Sequence, residues 1–264
     1  MRDLPLARSG RGAFEVATQA AKEAGSLIMA HFQGEMRIKY KGRTDIVTDV
    51  DIMAEKAIMS LFQEEFPGFG IITEESQNIA SDSGYTWIVD PLDGTRNYAF
   101  GIPHFCVALA LAQGDEVLLG IIYDPLRGEF FRAEKGRGAF LNDSPISVSK
   151  KTTVQGSLVG FDMGYDVERG REVLDVASAL WPGVLSVRVM GSAALGLAYA
   201  ACARLDIYFH LSLYPWDLAA GILLIEEAGG AISELDGKPA SINSVSIIGT
   251  SRAIHQDFVQ RVGG

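Results

Sequence analysis

The chain has 264 residues, 48 % of them hydrophobic, with a mean hydropathy of +0.15 and a net charge of −10. That is enough apolar material for one large domain or two tightly packed halves, and it excludes a disordered or low-complexity chain. The acidic balance, with a pI of about 4.9, works against partners such as nucleic acid or an anionic membrane surface.

Met1 to Gly12 carries three arginines and no apolar core of the kind a secretory signal needs. Residues 13–33 predict a helix, because Phe14, Ala17, Ala21, Ala24, Ile28 and Phe32 recur at helical spacing and Gly34 follows as a stop. The polar segment 35–47 reads as a loop. A second helix is expected from about 49 to 65, with Thr48 as N-cap and Asp51 closing a capping box in its Asp variant, before Phe66-Pro67-Gly68 ends it. A short strand at 70–72 leads into Glu74-Glu75-Ser76, and a stronger one, Tyr85–Val89, runs straight into Asp90. Strands at 105–112, 117–123, 129–133 and 139–141 follow with short connections, the pattern of an antiparallel meander. Residues 143–156 are rich in Ser, Thr and Lys and divide the chain. Residues 1–150 form an N-terminal half of two helices on an antiparallel sheet, and residues 151–264 a C-terminal α/β half. In the latter, strands at 158–161, 185–189, 206–210 and 231–235 alternate with helices at 168–180, 192–203 and 217–228, the last capped by Gly229-Gly230. Cys106 and Cys202 lie far apart in apolar runs and make neither a disulfide framework nor a zinc pattern. No apolar run reaches the ~18 residues of a spanning helix. A cytoplasmic location is expected.

The stretch Asp90-Pro91-Leu92-Asp93-Gly94-Thr95 sits where a hydrophobic strand stops. Pro91 stiffens the turn between two carboxylates, and Gly94 lets backbone approach a ligand. If a helical turn starts there, the amides of Gly94 and Thr95 make a natural phosphate site. Two carboxylates beside such amides call for bridging cations, and hard oxygen ligands point to magnesium. Taken alone, the hexapeptide reads equally well as a turn, since Asp-Pro and Asp-Gly are turn dipeptides. Glu74-Glu75 also reads as an exposed acidic loop, Asp51 as a cap partner and Asp217 as an acid favoured at a helix N-terminus. Their conjunction is what weakens these readings.

Trp87-Ile88-Val89-Asp90-Pro91-Leu92-Asp93-Gly94-Thr95-Arg96-Asn97-Tyr98 resembles the first signature of the inositol monophosphatase family. Trp216-Asp217-Leu218-Ala219-Ala220-Gly221, followed by Glu226-Glu227-Ala228-Gly229-Gly230, resembles the second. Thr73-Glu74-Glu75-Ser76 and Asp45-Ile46-Val47-Thr48-Asp49-Val50-Asp51 match two further segments of that family, in order and at the expected spacing. The resemblance implies an α+β fold, the layered αβαβα sandwich of the inositol monophosphatase and fructose-1,6-bisphosphatase type. It also implies two to three Mg2+ ions. Glu74, Asp90 and the Leu92 carbonyl would hold one ion. Asp90, Asp93 and Asp217 would hold a second, and a weaker third would sit near Glu74. Asp51, Thr95 and Glu74 would be catalytic, orienting and deprotonating the attacking water, with Glu75 in support. The Gly94 and Thr95 amides would hold the phosphate, and hydrolysis would be direct, without a covalent intermediate. Lithium inhibition and a homodimer are further family expectations.

Substrate contacts are expected from Asp93, Gly94, Thr95, Asp217, His210 and the small-residue turn Gly191-Ser192-Ala193, which reads equally as close helix packing. Position 210 departs from the inositol-specific members, which carry a glutamate seven residues before the second-motif aspartate. A histidine there can hydrogen-bond a hydroxyl, meet a second phosphate, or pack for shape. His31, His104 and His255 read as structural or surface residues, Arg188 and Arg204 as solvated rather than as contacts to a charged substrate, and Lys41-Gly42-Arg43 as a solvated basic loop rather than one approaching the third metal. Tyr98, where the family often has Phe, is expected to change little. The expected activity is hydrolysis of inositol 1-phosphate or a similar small polyol phosphate. The alternatives are fructose 1,6-bisphosphate, histidinol phosphate, 3′-phosphoadenosine 5′-phosphate, or a non-catalytic regulatory protein on the same fold.

Overall fold

The computed structural model describes residues 4–262. The outermost residues of the two predicted halves, and the first three of the arginine-bearing N-terminal stretch, lie outside the described residues. The chain begins α1 (Ala13–His31), β1 (Ile38–Tyr40), β2 (Ile46–Thr48), α2 (Asp49–Glu65), β3 (Gly70–Thr73), β4 (Tyr85–Asp93) and α3 (Thr95–Ala99). A meander follows: β5 (Cys106–Gln113), β6 (Glu116–Asp124), β7 (Glu129–Glu134), β8 (Gly138–Leu141) and β9 (Ser144–Pro145). It continues with β10 (Leu158–Phe161), α4 (Val167–Leu180), β11 (Ser186–Val189), α5 (Ala193–Ala201) and β12 (Ile207–His210). It closes with α6 (Pro215–Glu227), β13 (Gly230–Ser233), β14 (Ile247–Ser251) and α7 (Arg252–Val262).

Strands β3 to β9 form a seven-stranded sheet in chain order, antiparallel except that β3 runs parallel to β4. Period-two alternation gives this sheet two apolar faces. Trp87, Val89, Val107, Leu109 and Leu111 join the buried alanine-rich face of α1 and the apolar face of α2 in one core. Ile88, Ala108, Ala110 and Ala112 point the other way, into α5 and α6. Those two helices are buried almost all round, because a second sheet, ordered β11-β10-β12-β14-β13, covers their far side. In it β11, β10 and β12 run parallel, and β14 and β13 pair antiparallel. Val173, Ile254 and Phe258 from α4 and α7 close the outer face against Val159, Ile207 and Phe209. The result is the expected α+β layering, αβαβα. No helix among the described residues is long and apolar enough to cross a membrane.

Three local expectations need correction. The segment read as a loop, 35–47, carries the antiparallel pair β1–β2, with Ile38 opposite Thr48. All three residues of β1 are exposed, so no hydrophobic alternation marks it. The first helix ends earlier than predicted: His31 is its last residue, and Gln33 rather than Gly34 takes the left-handed conformation, with φ +63°. The last helix-strand register is also shifted, with Asp217 third in α6 rather than first.

Candidate active site

The site lies where β4, the start of α2, the loop after β3 and the start of α6 converge. Strand β4 extends through Asp93, but its pairing with β5 shifts between Asp90 and Asp93. Pro91 sits inside this irregularity and has no N–H to give to the ladder. Asp90 Oδ1 accepts from the Leu92 amide at 3.0 Å. Gly94 then turns the chain at φ +90°, where a Cβ would lie 3.0 Å from the His104 carbonyl oxygen, so glycine is the residue that fits both the conformation and the space.

Asp90, Asp93 and Asp217 each present a carboxylate oxygen within 4.8 Å of the others. Asp90 and Asp93 are buried and Asp217 half-buried. Burial pushes the Asp90 carboxyl well above the usual range, and Glu74, Asp93 and Asp217 add repulsion. Asp217 is raised in the same way, by burial and then by Asp93. Burial also raises Asp93, against opposing hydrogen bonds from Ser192, Ala193 and Ala194. A cation relieves both penalties at once. The donor set is three hard carboxylates with no imidazole or thiol, which fits magnesium or calcium rather than a softer metal.

Glu74 and the Leu92 carbonyl line the same cavity as these three acids. Glu74 stands apart in its pairing, because Lys41 Nζ lies 2.9 Å from its Oε1 and 2.8 Å from Glu75 Oε1. Burial lifts Glu74 to about 7, with Lys41 opposing. Burial alone would lower the Lys41 ammonium, but the two glutamates raise it. Lys41 stays in contact with solvent, as expected of that loop, but it is also a counter-ion to the two glutamates, brought there by the β1–β2 turn. Glu55 of α2, which sequence reasoning passed over, accepts from the Thr73 hydroxyl at 2.5 Å and the Glu75 amide at 2.8 Å, and so fixes the acidic loop.

Asp51 caps α2 and also reaches Thr95. Its Oδ2 accepts from the Thr48 amide at 3.0 Å and from the Thr48 hydroxyl, completing the capping box of α2. Its Oδ1 faces the Thr95 hydroxyl at 2.9 Å, which also lies 2.9 Å from the Leu92 carbonyl. The single hydroxyl proton serves one acceptor at a time. Burial raises the Asp51 carboxyl against its hydrogen bonds.

A second cavity adjoins the acids and is lined by Asp93, Gly94, Thr95, Gly191, Ser192, Ala193, His210 and Asp217, which brings together every predicted substrate contact. Asp93 reaches across to α5, where the Ala193 amide donates to Oδ1 at 3.2 Å, and the Ala194 amide, at 2.9 Å, and the Ser192 hydroxyl donate to Oδ2. His210 is buried, and its Nδ1 accepts from the Ser212 amide at 3.0 Å. Two further residues hold the cavity wall. Asn97 Nδ2 donates to the His104 carbonyl at 2.8 Å and the Met190 carbonyl at 3.0 Å. Asp162 Oδ1 accepts from the amides of Met190, at 2.8 Å, and Gly191, and its Oδ2 accepts from the Tyr208 hydroxyl at 2.7 Å. Asn97 was visible inside the first signature without a role, whereas Asp162 carries no sequence signal beyond following a strand. Tyr98 gains a bond that Phe could not make, from its hydroxyl to the Ile28 carbonyl at 2.8 Å. Arg204 is exposed, as expected, and forks onto Glu129 at 2.6 and 2.5 Å, and Arg188 bonds within its own strand. Neither lines the two cavities.

The sequence profile of the inositol monophosphatase family matches residues 12–263. Among similar proteins, the Nus factor SuhB of Xylella fastidiosa is 38 % identical over 232 residues, covering 86 % of this chain and 84 % of that one. An inositol-1-monophosphatase of Synechocystis is 37 % identical, covering 93 % and 87 %. Among solved structures, the extragenic suppressor protein suhB of Bartonella henselae superposes with a TM-score of 0.90 at 34 % identity, covering 94 % and 97 %.

Proposed function

The chain belongs to the inositol monophosphatase family, and from that membership we propose that it is a magnesium-dependent phosphomonoester hydrolase acting on a small polyol or sugar phosphate. One observation carries the reading: Asp90 and Asp93 on β4 and Asp217 on α6, distant in sequence, place their oxygens within 4.8 Å of one another beside the cavity that Gly94, Thr95 and His210 line. A purely structural role would not concentrate unpaired buried charge in this way.

Asp90, Asp93, Asp217, Glu74 and the Leu92 carbonyl would hold the ions. Magnesium, when bound, neutralises phosphoryl charge and makes water more acidic. The chain's own residues supply the rest. Asp51 is the base that takes the proton of the attacking water, relayed through the Thr95 hydroxyl, and its raised carboxyl is poised for that work. The Leu92 carbonyl gives the Thr95 proton a second place to point once Asp51 is protonated. The Gly94 and Thr95 amides open α3 toward the cavity and orient the phosphoryl group. Glu75, fixed by Lys41 and Glu55, keeps Glu74 in place.

The test is phosphate release with magnesium from a panel of inositol 1-phosphate, glycerol phosphate, fructose 1,6-bisphosphate, histidinol phosphate and 3′-phosphoadenosine 5′-phosphate. Turnover of at least one ester, lost with EDTA and inhibited by millimolar lithium, is the expected result. A second reading has an observation of its own, because relatives as similar as 38 % identical bear the name Nus factor. Release from no ester by the folded, magnesium-loaded protein would favour that non-catalytic reading and overturn ours.

A further inference from the structure

The cavity lining combines opposite chemistries. Asp93 and Asp217 bring carboxylates to it. Arg96 and His210 bring a cation and an imidazole. Arg96 follows Thr95 in α3, and its guanidinium carbon lies 4.6 Å from the centre of the Tyr165 ring. Stacking fixes a guanidinium by its face and leaves its in-plane N–H groups available. The one contact those groups make is a long bond from Nη2 to the Gly164 carbonyl at 3.4 Å. No carboxylate pairs with Arg96 among the described residues. Asp162 is the remaining acid in this wall, and its oxygens are taken by two amides and the Tyr208 hydroxyl.

His210 adds a donor rather than an acceptor. Its Nδ1 accepts from the Ser212 amide, so the neutral ring carries its proton on Nε2. Burial, and then the charge of Arg96, hold the ring down to about 3, so it stays neutral at physiological pH. Arg96 and His210 therefore offer the cavity a fixed positive charge and an N–H donor. An uncharged polyol would leave the guanidinium without a counter-charge.

We propose that Arg96, with the His210 Nε2–H beside it, forms an anion subsite for the leaving-group half of the substrate, so that the preferred ester carries a second phosphate or a carboxylate on its alcohol. This rests on the phosphatase reading and sharpens its substrate class. The ester oxygen and the phosphoryl group sit over the acids and their ions, while the second anion reaches across the cavity to Arg96.

The experiment compares kcat/KM for glycerol 3-phosphate, 3-phosphoglycerate and fructose 1,6-bisphosphate in the wild type, Arg96→Met and Arg96→Lys. The carboxylate and second-phosphate arms separate the two kinds of anion. In the wild type at least one dianionic-alcohol arm should exceed glycerol 3-phosphate by about tenfold or more, as one charge-assisted interaction allows. Arg96→Met should erase that advantage while changing glycerol 3-phosphate by less than about threefold, and Arg96→Lys should restore part of it. Equal activity on all three esters in the wild type, or an equal loss on all three in Arg96→Met, overturns the subsite. If no ester is hydrolysed, calorimetry with calcium decides separately. Fructose 1,6-bisphosphate binding at least about tenfold tighter than inorganic phosphate, and losing that margin in Arg96→Met, supports the subsite even though the phosphatase reading has failed. Equal affinities overturn it.

Discussion

Replacing Asp90 with asparagine should make the metal-free protein more stable and the magnesium-loaded protein inactive. Asp90 is surrounded by Glu74, Asp93 and Asp217, and its one hydrogen bond, from the Leu92 amide, survives in asparagine because the amide oxygen still accepts. Two unit charges 4.8 Å apart repel by about 3.5 kcal/mol at an effective dielectric of about 20. Closer pairs within the cluster repel more, and the cluster escapes part of this repulsion by binding a proton. The raised carboxyls give the sign: the metal-free protein loses stability as pH rises through them, since the unfolded chain ionises more easily. Magnesium at about a hundred times its Kd should restore about 2.7 kcal/mol to the wild type. For a chain of 264 residues that is about 5 °C in Tm. Thermal unfolding in EDTA and in magnesium, at pH 6 and pH 8, measures all of this. The wild type should gain more from magnesium at pH 8 than at pH 6, and the variant should start higher in EDTA and gain less. A wild-type Tm indifferent to magnesium, with Asp90→Asn less stable in EDTA, would refute the reasoning that these acids are held together against repulsion for a cation.

Thr95→Val removes the hydroxyl between Asp51 and Leu92, and kcat should fall by about 10²-fold or more with KM within a few-fold. A change confined to KM, seen in steady-state kinetics, would remove Thr95 from the proton path. Lys41→Met takes a cation from 2.9 Å beside Glu74. In a water-like dielectric the Lys41–Glu74 attraction that an incoming metal must displace is about 1.4 kcal/mol, so the half-saturating magnesium concentration in an activity titration should drop by about tenfold. Gly191→Ala introduces a Cβ 2.7 Å from Asn97 Nδ2 at φ +78°. It should cost about 2 kcal/mol or more, lowering Tm by about 4 °C in calorimetry, and should disturb the substrate wall.

The parts of the site legible in the sequence were those written into single segments. Asp90 to Thr95 announced itself because a strand, a proline and a left-handed glycine must follow one another in the chain. The capping box at Thr48 and Asp51 was equally local, and the structure forms it while turning the other carboxylate oxygen of Asp51 to Thr95. What stayed hidden depends on chain folding back on itself. The pairing of Lys41 was invisible because the acids it meets lie more than thirty positions away. Asp162 became important only where two strand ends and a helix start meet. Strand β1 escaped notice because its pairing is a backbone matter and its side chains all face water. In the layered fold, by contrast, alternation along β4 and β5 and the apolar character of α5 and α6 carried the reading, because burial on both faces leaves a compositional trace.

Asp93 deserves a last consideration as a piece of assembly. It extends from β4 and is gripped by the first amides of α5, about a hundred positions later in the chain. During synthesis, Asp51, Glu74, Asp90 and Asp93 all leave the ribosome before their partners at 192–194 and 217 exist. A nascent chain thus holds an incomplete acid cluster that neither grips metal with its full set nor closes a substrate wall. The proposed activity can switch on only after the late-made helices have docked, which would make turnover a report on completed folding as well as on chemistry.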